Sequence, residues 1–131
     1  MSLEPGVKGV YETLVDNTNT ADSVGSGGLP VFATPAMIAY MELAASSCVQ
    51  PLLDVGKTTV GTRVSITHDA ATPIGMKVRT EAELTEIDGK RLVFAVSAYD
   101  ECGMIGSGIH ERCIITADRF MERTGAKLKH N

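Results

Sequence analysis

The stretch ATPAMIAYMELAASSCV, residues 33–49, decides the fold. Its apolar side chains recur at the spacing of one helix face, as shown by Met37, Met41, Ala44 and Ala45. That spacing predicts a strongly apolar helix. Thr34 followed by Pro35 predicts the helix start, because threonine can cap free N–H groups and proline suits the first turn. Pro51 predicts its end.

The segments nearest to this helix have the patterns of a strand, a loop and a second strand. Residues 6–16 predict an opening strand, and a long loop rich in Gly, Ser, Asn and Asp separates it from the helix. Residues 58–68 alternate in the manner of a strand. The alternation predicts that one face of that strand carries Val60, Val64, Ile66 and His68.

The remainder of the chain predicts three more strands and a tail. Residues 75–87 and 90–99 predict a hairpin that turns at Asp88–Gly89. Residues 104–116 predict a last long strand. From about residue 118 the chain is polar and ends in basic residues, which predicts a short helix followed by a frayed end.

One apolar helix of this kind needs a sheet to cover it. The element order is strand, loop, helix and four strands, within a length typical of one domain. We therefore expect a single α+β domain over residues 1–131, in which a five-stranded antiparallel sheet wraps around one long central helix. That arrangement is the hot-dog fold.

Composition excludes several functional classes. The net charge of −4 and the absence of tryptophan give no reason to expect a nucleic-acid partner. The three cysteines show no disulfide framework, and no metal-binding spacing is present, so we expect no metal and no cofactor. The first residues carry no apolar signal segment, and Glu42 interrupts the most apolar stretch. These features predict a cytoplasmic protein with no membrane partner.

Glu42 is the residue with the strongest indication of chemistry. From Pro35 to Ala45 only Tyr40 and Glu42 are polar, so this helix has almost no polar face. An exposed helix face would explain the glutamate without any function. A buried carboxylate in an apolar helix needs a specific reason, and it could attack a thioester or activate water as a general base.

His68 and Thr34 are the next candidates, and each also has a structural explanation. His68, at the predicted strand end, is either a catalytic residue or a satisfied core histidine. Thr34 could simply cap the helix, although a helix N-terminus also suits a carbonyl that becomes an oxyanion. Thr34 and Glu42 would lie roughly 12 Å apart along one helix. Either the helix starts later, or a second subunit completes each site.

Four segments resemble the hot-dog thioesterases of the fluoroacetyl-CoA thioesterase-like family. They are ATPAMIAYMELAA, VGTRVSITHDAATPIGMKV, AELTEIDGKRLVFAVSAYD and IGSGIHERCII, within residues 33–115. The resemblance implies a homodimer that hydrolyses small acyl-CoA molecules at the subunit interface, and such dimers could pair into tetramers. It also implies a catalytic set of Thr34, Glu42 and His68, with Gly61 and Arg112 lining the substrate site.

One segment departs from the family pattern. In the fluoroacetyl-specific member of the family, the segment before the helix resembles an aromatic-bearing lid, whereas DSVGSGGLPVF here has Phe32 as its only aromatic residue. We therefore expect general short-chain acyl-CoA hydrolysis rather than fluoroacetyl specificity. The alternatives are a hydratase or dehydratase on the same fold and a non-catalytic acyl-CoA-binding module. A cysteine nucleophile is disfavoured, because Cys48 and Cys113 lie in apolar contexts and Cys102 in an acidic turn.

Overall fold

The apolar helix forms where the sequence predicts it, and five strands form one sheet against it. The structure is a computed structural model, and it describes residues 2–130. The strands are β1 (Lys8–Leu14), β2 (Lys57–His68), β3 (Lys77–Asp88), β4 (Arg91–Asp100) and β5 (Gly103–Thr116). The helices are α1 (Ala21–Val24), α2 (Thr34–Val49) and α3 (Ala117–Gly125), with 3-10 turns at Gln50–Leu52 and Ala126–Lys129.

The strand order in the sheet is β1-β3-β4-β5-β2, so β1 and β2 are its edges. Every neighbouring pair is antiparallel. Helix α2 packs across the sheet, mainly on β1 and β3. The predicted α+β hot-dog fold is therefore confirmed.

The core lies between α2 and the inner face of the sheet. The predicted helix face is buried, and Val49 extends it by one turn. Gly9 of β1 packs directly on the carbonyl oxygen of Ala44, where any Cβ would clash. Glycine at this position therefore lets the helix backbone approach the edge strand closely.

The hairpin between β3 and β4 is confirmed, with its turn one residue later than predicted. Asp88 pairs with Arg91, so Gly89 and Lys90 form a two-residue turn. Gly89 has φ +62°, a conformation that favours glycine. The Asp-Gly signal therefore predicted the hairpin, while cross-strand pairing fixed the register.

The predicted common face of β2 is wrong at Val60. Val60 pairs with Cys113 and Val64 pairs with His110, three residues apart on β5 and therefore on opposite faces. A β-bulge between Gly61 and Arg63 inserts the extra residue Thr62. Val64, Ile66 and His68 thus share the inner face, whereas Val60 points to the outer one.

The loop before α2 contains the short helix α1 and is tied down by backbone hydrogen bonds. Ala21 N–H donates to the Val31 carbonyl at 2.8 Å, and Phe32 N–H donates to the Thr72 carbonyl at 2.9 Å. Phe32 is 1% exposed and stacks on Tyr40 at 6.1 Å between ring centroids. The one aromatic residue of this segment therefore belongs to the core.

The tail begins as the predicted short helix, α3, and continues into the second 3-10 turn up to Lys129. Asn131, the last residue of the predicted frayed end, lies outside the described residues. The assignment of residues 1–131 to a single domain stays a prediction. Within residues 2–130, none of the helices combines the length and hydrophobicity needed to cross a bilayer.

Candidate active site

The five residues predicted for the site fall into two groups on the inner side of the sheet. One group is the Thr34–His68 pair at the start of α2. The other is the Glu42–Arg112 cluster, which includes Gly61 and lies two turns further along the helix. The structure brings residues together within each group, but no contact joins the two groups within the described chain.

The Thr34–His68 pair joins the first turn of α2 to the end of β2. The Thr34 hydroxyl oxygen lies 2.7 Å from His68 Nδ1. The predicted capping role of Thr34 is wrong, since Ala33 is the N-cap residue and no side chain caps the helix. Thr34 is already inside the helix, so its hydroxyl is directed to the imidazole instead.

The His68 ring is partly buried and lines a pocket. Phe32 packs against it edge-on, with ring centroids 6.4 Å apart. Burial lowers the pKa of His68 from its ordinary value, which favours the neutral ring at neutral pH. Among residues 2–130, no group bonds its buried Nε2 atom. The pair therefore offers a neutral imidazole and a hydroxyl at the wall of a pocket of about 250 Å³.

The Glu42–Arg112 cluster connects α2 to β5. Arg112 Nη1 donates to Glu42 Oε2 at 3.3 Å, while Arg112 Nε donates to the Thr59 hydroxyl at 2.8 Å. Arg112 is 8% exposed, and burial lowers its pKa from the usual value. The Glu42 side chain is 40% exposed, so the expectation of a buried carboxylate is wrong for the single chain. The carboxylate is instead anchored by arginine on one side and open on the other.

Gly61 provides the space for this carboxylate. A Cβ atom at position 61 would lie 2.6 Å from Glu42 Oε2 and 3.3 Å from Arg112 Nη1. At the shorter of these separations, a side chain fits only if the Glu42 carboxylate moves away. Glycine at this position therefore lets Glu42 and Arg112 meet over the backbone of β2.

Sequence reasoning gave His110 no role, yet its ring lies inside the same cluster. His110 is 1% exposed, and its Nε2 lies 3.2 Å from Arg112 Nη1 and 3.9 Å from Glu42 Oε2. The available signal was the spacing of two between His110 and Arg112, which places both on one face of a strand. Thr59 was missed in the same way, two residues before Gly61.

The three cysteines are free thiols, and none has a hydrogen bond to either group of site residues. Burial raises the pKa of the Cys48 thiol, which disfavours its reactive thiolate. Within residues 2–130, no three His, Cys, Asp or Glu side chains are placed to hold a metal ion. The chemistry available at these positions is that of a carboxylate, an imidazole and a hydroxyl.

The family model of fluoroacetyl-CoA-specific thioesterases matches residues 15–118, a range that contains every site residue described above. The chain belongs to this family. The fluoroacetyl-CoA thioesterase of Streptantibioticus cattleyicolor is 42% identical over 97 residues, which are 74% of this chain and 70% of that protein. The predicted resemblance to this family of hot-dog thioesterases is therefore confirmed.

Two solved relatives have the same fold. A fluoroacetyl-CoA thioesterase superposes with a TM-score of 0.90 at 33% identity, covering 97% of this chain and 98% of that one. A thioesterase-superfamily protein from Thermus thermophilus superposes with a TM-score of 0.85 at 31% identity, covering 96% of both chains. Membership of the fluoroacetyl-CoA-specific thioesterase family confirms the prediction of a thioester hydrolase and favours it over a hydratase or a binding module.

Proposed function

We propose that this acyl-CoA thioesterase hydrolyses short acyl-CoA substrates at sites shared between two subunits of a homodimer. One subunit would supply Thr34 and His68, and the other Glu42, Gly61 and Arg112. The separation of the two groups along α2 and β5 is the observation that carries the proposal.

The separation follows from helix and strand geometry. Thr34 and Glu42 are eight residues apart on one continuous helix, or roughly 12 Å along its axis. On the sheet, His68 pairs with Gly106 and Gly61 pairs with Arg112. Six residues of strand correspond to about 20 Å. A single reacting carbonyl cannot touch both groups of one chain, whereas a two-fold axis can bring each group to its counterpart.

The open edge of the sheet at β2 favours the presence of a second subunit. Strand β2 is twelve residues long and lies at the end of the strand order, with one edge unpaired within residues 2–130. A long open edge readily pairs with another strand. Apolar side chains near the Glu42–Arg112 cluster are also exposed, with Leu43 at 41% and Val64 at 39%. Pairing of two β2 strands would cover this surface; tetramers would need a further contact.

The proposed reaction uses protein groups alone. Glu42 attacks the thioester carbonyl or activates the water that attacks it. The neutral His68 ring passes a proton from the water that is consumed to the departing thiolate and so returns to its neutral form, and Thr34 fixes the orientation of that ring. Arg112 neutralises negative charge near Glu42, and Gly61 keeps the space beside the carboxylate open. The products are a carboxylic acid and coenzyme A.

Solved relatives support the substrate class. One fluoroacetyl-CoA thioesterase variant was solved with fluoroacetate and CoA, and another with acetyl-CoA. For this protein, thiol release from acetyl-, propionyl- and butyryl-CoA tests the proposal directly. Hydrolysis of at least one of them is expected, and a folded protein inactive on all three would contradict it. A cytoplasmic location stays a prediction.

Subunit complementation tests the shared site. Thr34→Ala and Glu42→Gln subunits should each be nearly inactive as homodimers. In a mixed dimer, however, one site would combine an intact Thr34 with an intact Glu42. Random association should restore about a quarter of wild-type activity. No recovery in verified mixed dimers would show that each site lies within one chain.

A further inference from the structure

The Arg112 guanidinium is fixed from several sides, and only one contact joins it to Glu42. Its Nε donates to the Thr59 hydroxyl at 2.8 Å, and its Nη2 donates to the Thr59 carbonyl at 3.1 Å. Its Nη1 reaches Glu42 at 3.3 Å and lies 3.2 Å from His110 Nε2. A guanidinium has only donors, so this last contact requires a free lone pair on Nε2.

The hydrogen bond at the other ring nitrogen of His110 shows that the lone pair on Nε2 is free. His110 Nδ1 lies 2.8 Å from the carbonyl oxygen of Arg63. A carbonyl oxygen can only accept, so Nδ1 must carry the proton. The neutral ring then has its lone pair on Nε2, facing Arg112. Both contacts therefore select the same neutral tautomer.

The surroundings of the ring favour its neutral form. His110 is 1% exposed and stacks on Phe94 of β4, with ring centroids 6.2 Å apart. Strand β2 presents the Arg63 backbone carbonyl to it. Burial, together with the positive charge of Arg112, lowers the pKa of His110. The charged side chains that act on it are Arg112 and Glu111 from β5 and Glu42 from α2.

We propose that His110 is a positioning residue, whose Nε2 accepts a hydrogen bond from Arg112 and so holds the guanidinium against Glu42. Thr59 holds the inner side of the guanidinium, and His110 fixes the direction of Nη1. Without this acceptor, Nη1 loses one of its two partners, and the Glu42 contact loses its orientation. The role holds only if the proposed function does, because Glu42 is the group that Arg112 would orient.

Two substitutions of His110 distinguish the effect of losing the hydrogen-bond acceptor from the effect of losing the ring. His110→Phe keeps a flat aromatic ring against Phe94 but removes the acceptor, and should lower kcat by up to about 100-fold. His110→Gln keeps an acceptor near Nε2 and should retain more activity than His110→Phe. His130→Phe, the same change in the exposed tail, is the matched control and should leave kcat unchanged. Equal losses in both His110 variants would overturn the proposal.

A double-mutant cycle with Arg112→Ala distinguishes positioning from general packing. If His110 acts through Arg112, then His110→Phe should cost little further activity once Arg112 is absent. Independent losses, in which the fold-reductions of kcat multiply, would overturn the positioning role while leaving thioester hydrolysis intact. Wild-type turnover is measured first, because its absence would overturn the proposed function instead.

Nitrogen NMR of histidine-labelled wild-type protein gives a readout that needs neither activity nor a variant. His110 should show a protonated Nδ1 and an unprotonated Nε2 at neutral pH, while the exposed His130 serves as an internal reference. A proton on Nε2, or a charged ring, would leave no acceptor for Arg112 and would overturn the proposal.

Discussion

The Thr34 hydroxyl lies 2.7 Å from His68 Nδ1 and makes no capping bond to the helix that it begins. Thr34→Ala should therefore lower kcat by at least about tenfold, because the imidazole loses the group that orients it. The free energy of unfolding should change by less than the roughly 1 kcal/mol expected for loss of a helix cap. Thr34→Ser keeps the hydroxyl and is the control. A Thr34→Ala protein that loses stability but keeps its turnover would contradict the role of Thr34 in orienting His68.

Glu42→Gln keeps the shape of the side chain but removes its charge and basicity. Hydrolysis should fall by about two orders of magnitude or more. The fold should survive, because the side chain is 40% exposed and its substitution opens no cavity. Glu122→Gln, on the exposed α3, is the matched control. Near-wild-type turnover of folded Glu42→Gln would exclude the mechanism proposed here.

Gly61→Ala tests the space beside the carboxylate. The added methyl would lie 2.6 Å from Glu42 Oε2, so the carboxylate must move away from Arg112. We expect kcat/KM to fall by at least about tenfold, with little loss of stability because the displaced atom ends a flexible side chain. Gly125→Ala is the control, since a Cβ there meets nothing within 4 Å. Unchanged kinetics for Gly61→Ala would show that the carboxylate position is unimportant.

Stability should fall as pH drops below the ordinary histidine pKa of 6.5. Burial lowers the pKa of both His68 and His110, so the unfolded chain binds more protons than the folded one between the lowered values and 6.5. Urea unfolding at about pH 7.5 and about pH 5.5 would measure the change. His110→Gln should reduce this pH dependence, whereas His130→Gln should not. A free energy of unfolding that rises on acidification would contradict the prediction.

Acyl preference should be weak among short substrates. The segment before α2 presents no exposed aromatic side chain, since Phe32 is in the core. One small apolar difference contributes only about 1–3 kcal/mol of discrimination. The backbone hydrogen bonds of this segment fix its path, but they add no surface that would sense a single fluorine atom.

The measurement compares kcat/KM for acetyl-, propionyl-, butyryl- and fluoroacetyl-CoA. Each value must be corrected for the substrate's own reactivity toward hydroxide, because fluorine activates any thioester carbonyl. If the corrected value for fluoroacetyl-CoA still exceeds that for acetyl-CoA by many orders of magnitude, the prediction of weak preference fails.

Local patterns predicted most of the fold. The apolar spacing in α2 and the Asp-Gly turn after β3 depend on neighbours in the sequence, and both formed close to the predicted positions. The bulge at Thr62 left a weaker signal, because a strand glycine such as Gly61 often marks a bulge or a close backbone approach but does not show which of the two is present. The face of Val60 was therefore assigned incorrectly.

The candidate residues were chosen by residue type and their contacts came from the structure, while their roles stay predictions. Glu42 stood out because α2 is so apolar, while its exposure depends on strands that come much later in the chain. His110 was missed because two of its partners, the carbonyl of Arg63 and the carboxylate of Glu42, are distant in the sequence, and only its spacing of two from Arg112 was visible. Such relationships arise from folding and cannot be read from spacing alone.

The bulge in β2 changes which residue numbers face the helix, because it adds one residue between the two parts of the strand. Before it, the odd-numbered Thr59 and Gly61 face the helix; after it, the even-numbered Val64, Ile66 and His68 do. If Thr62 were instead a regular strand residue, with no bulge, one of these sets would turn outward, whereas deleting Thr62 would leave every pairing on β5 unchanged and both sets facing the helix. The two halves of the candidate site face the same side of one strand because the bulge takes up the single extra residue between them.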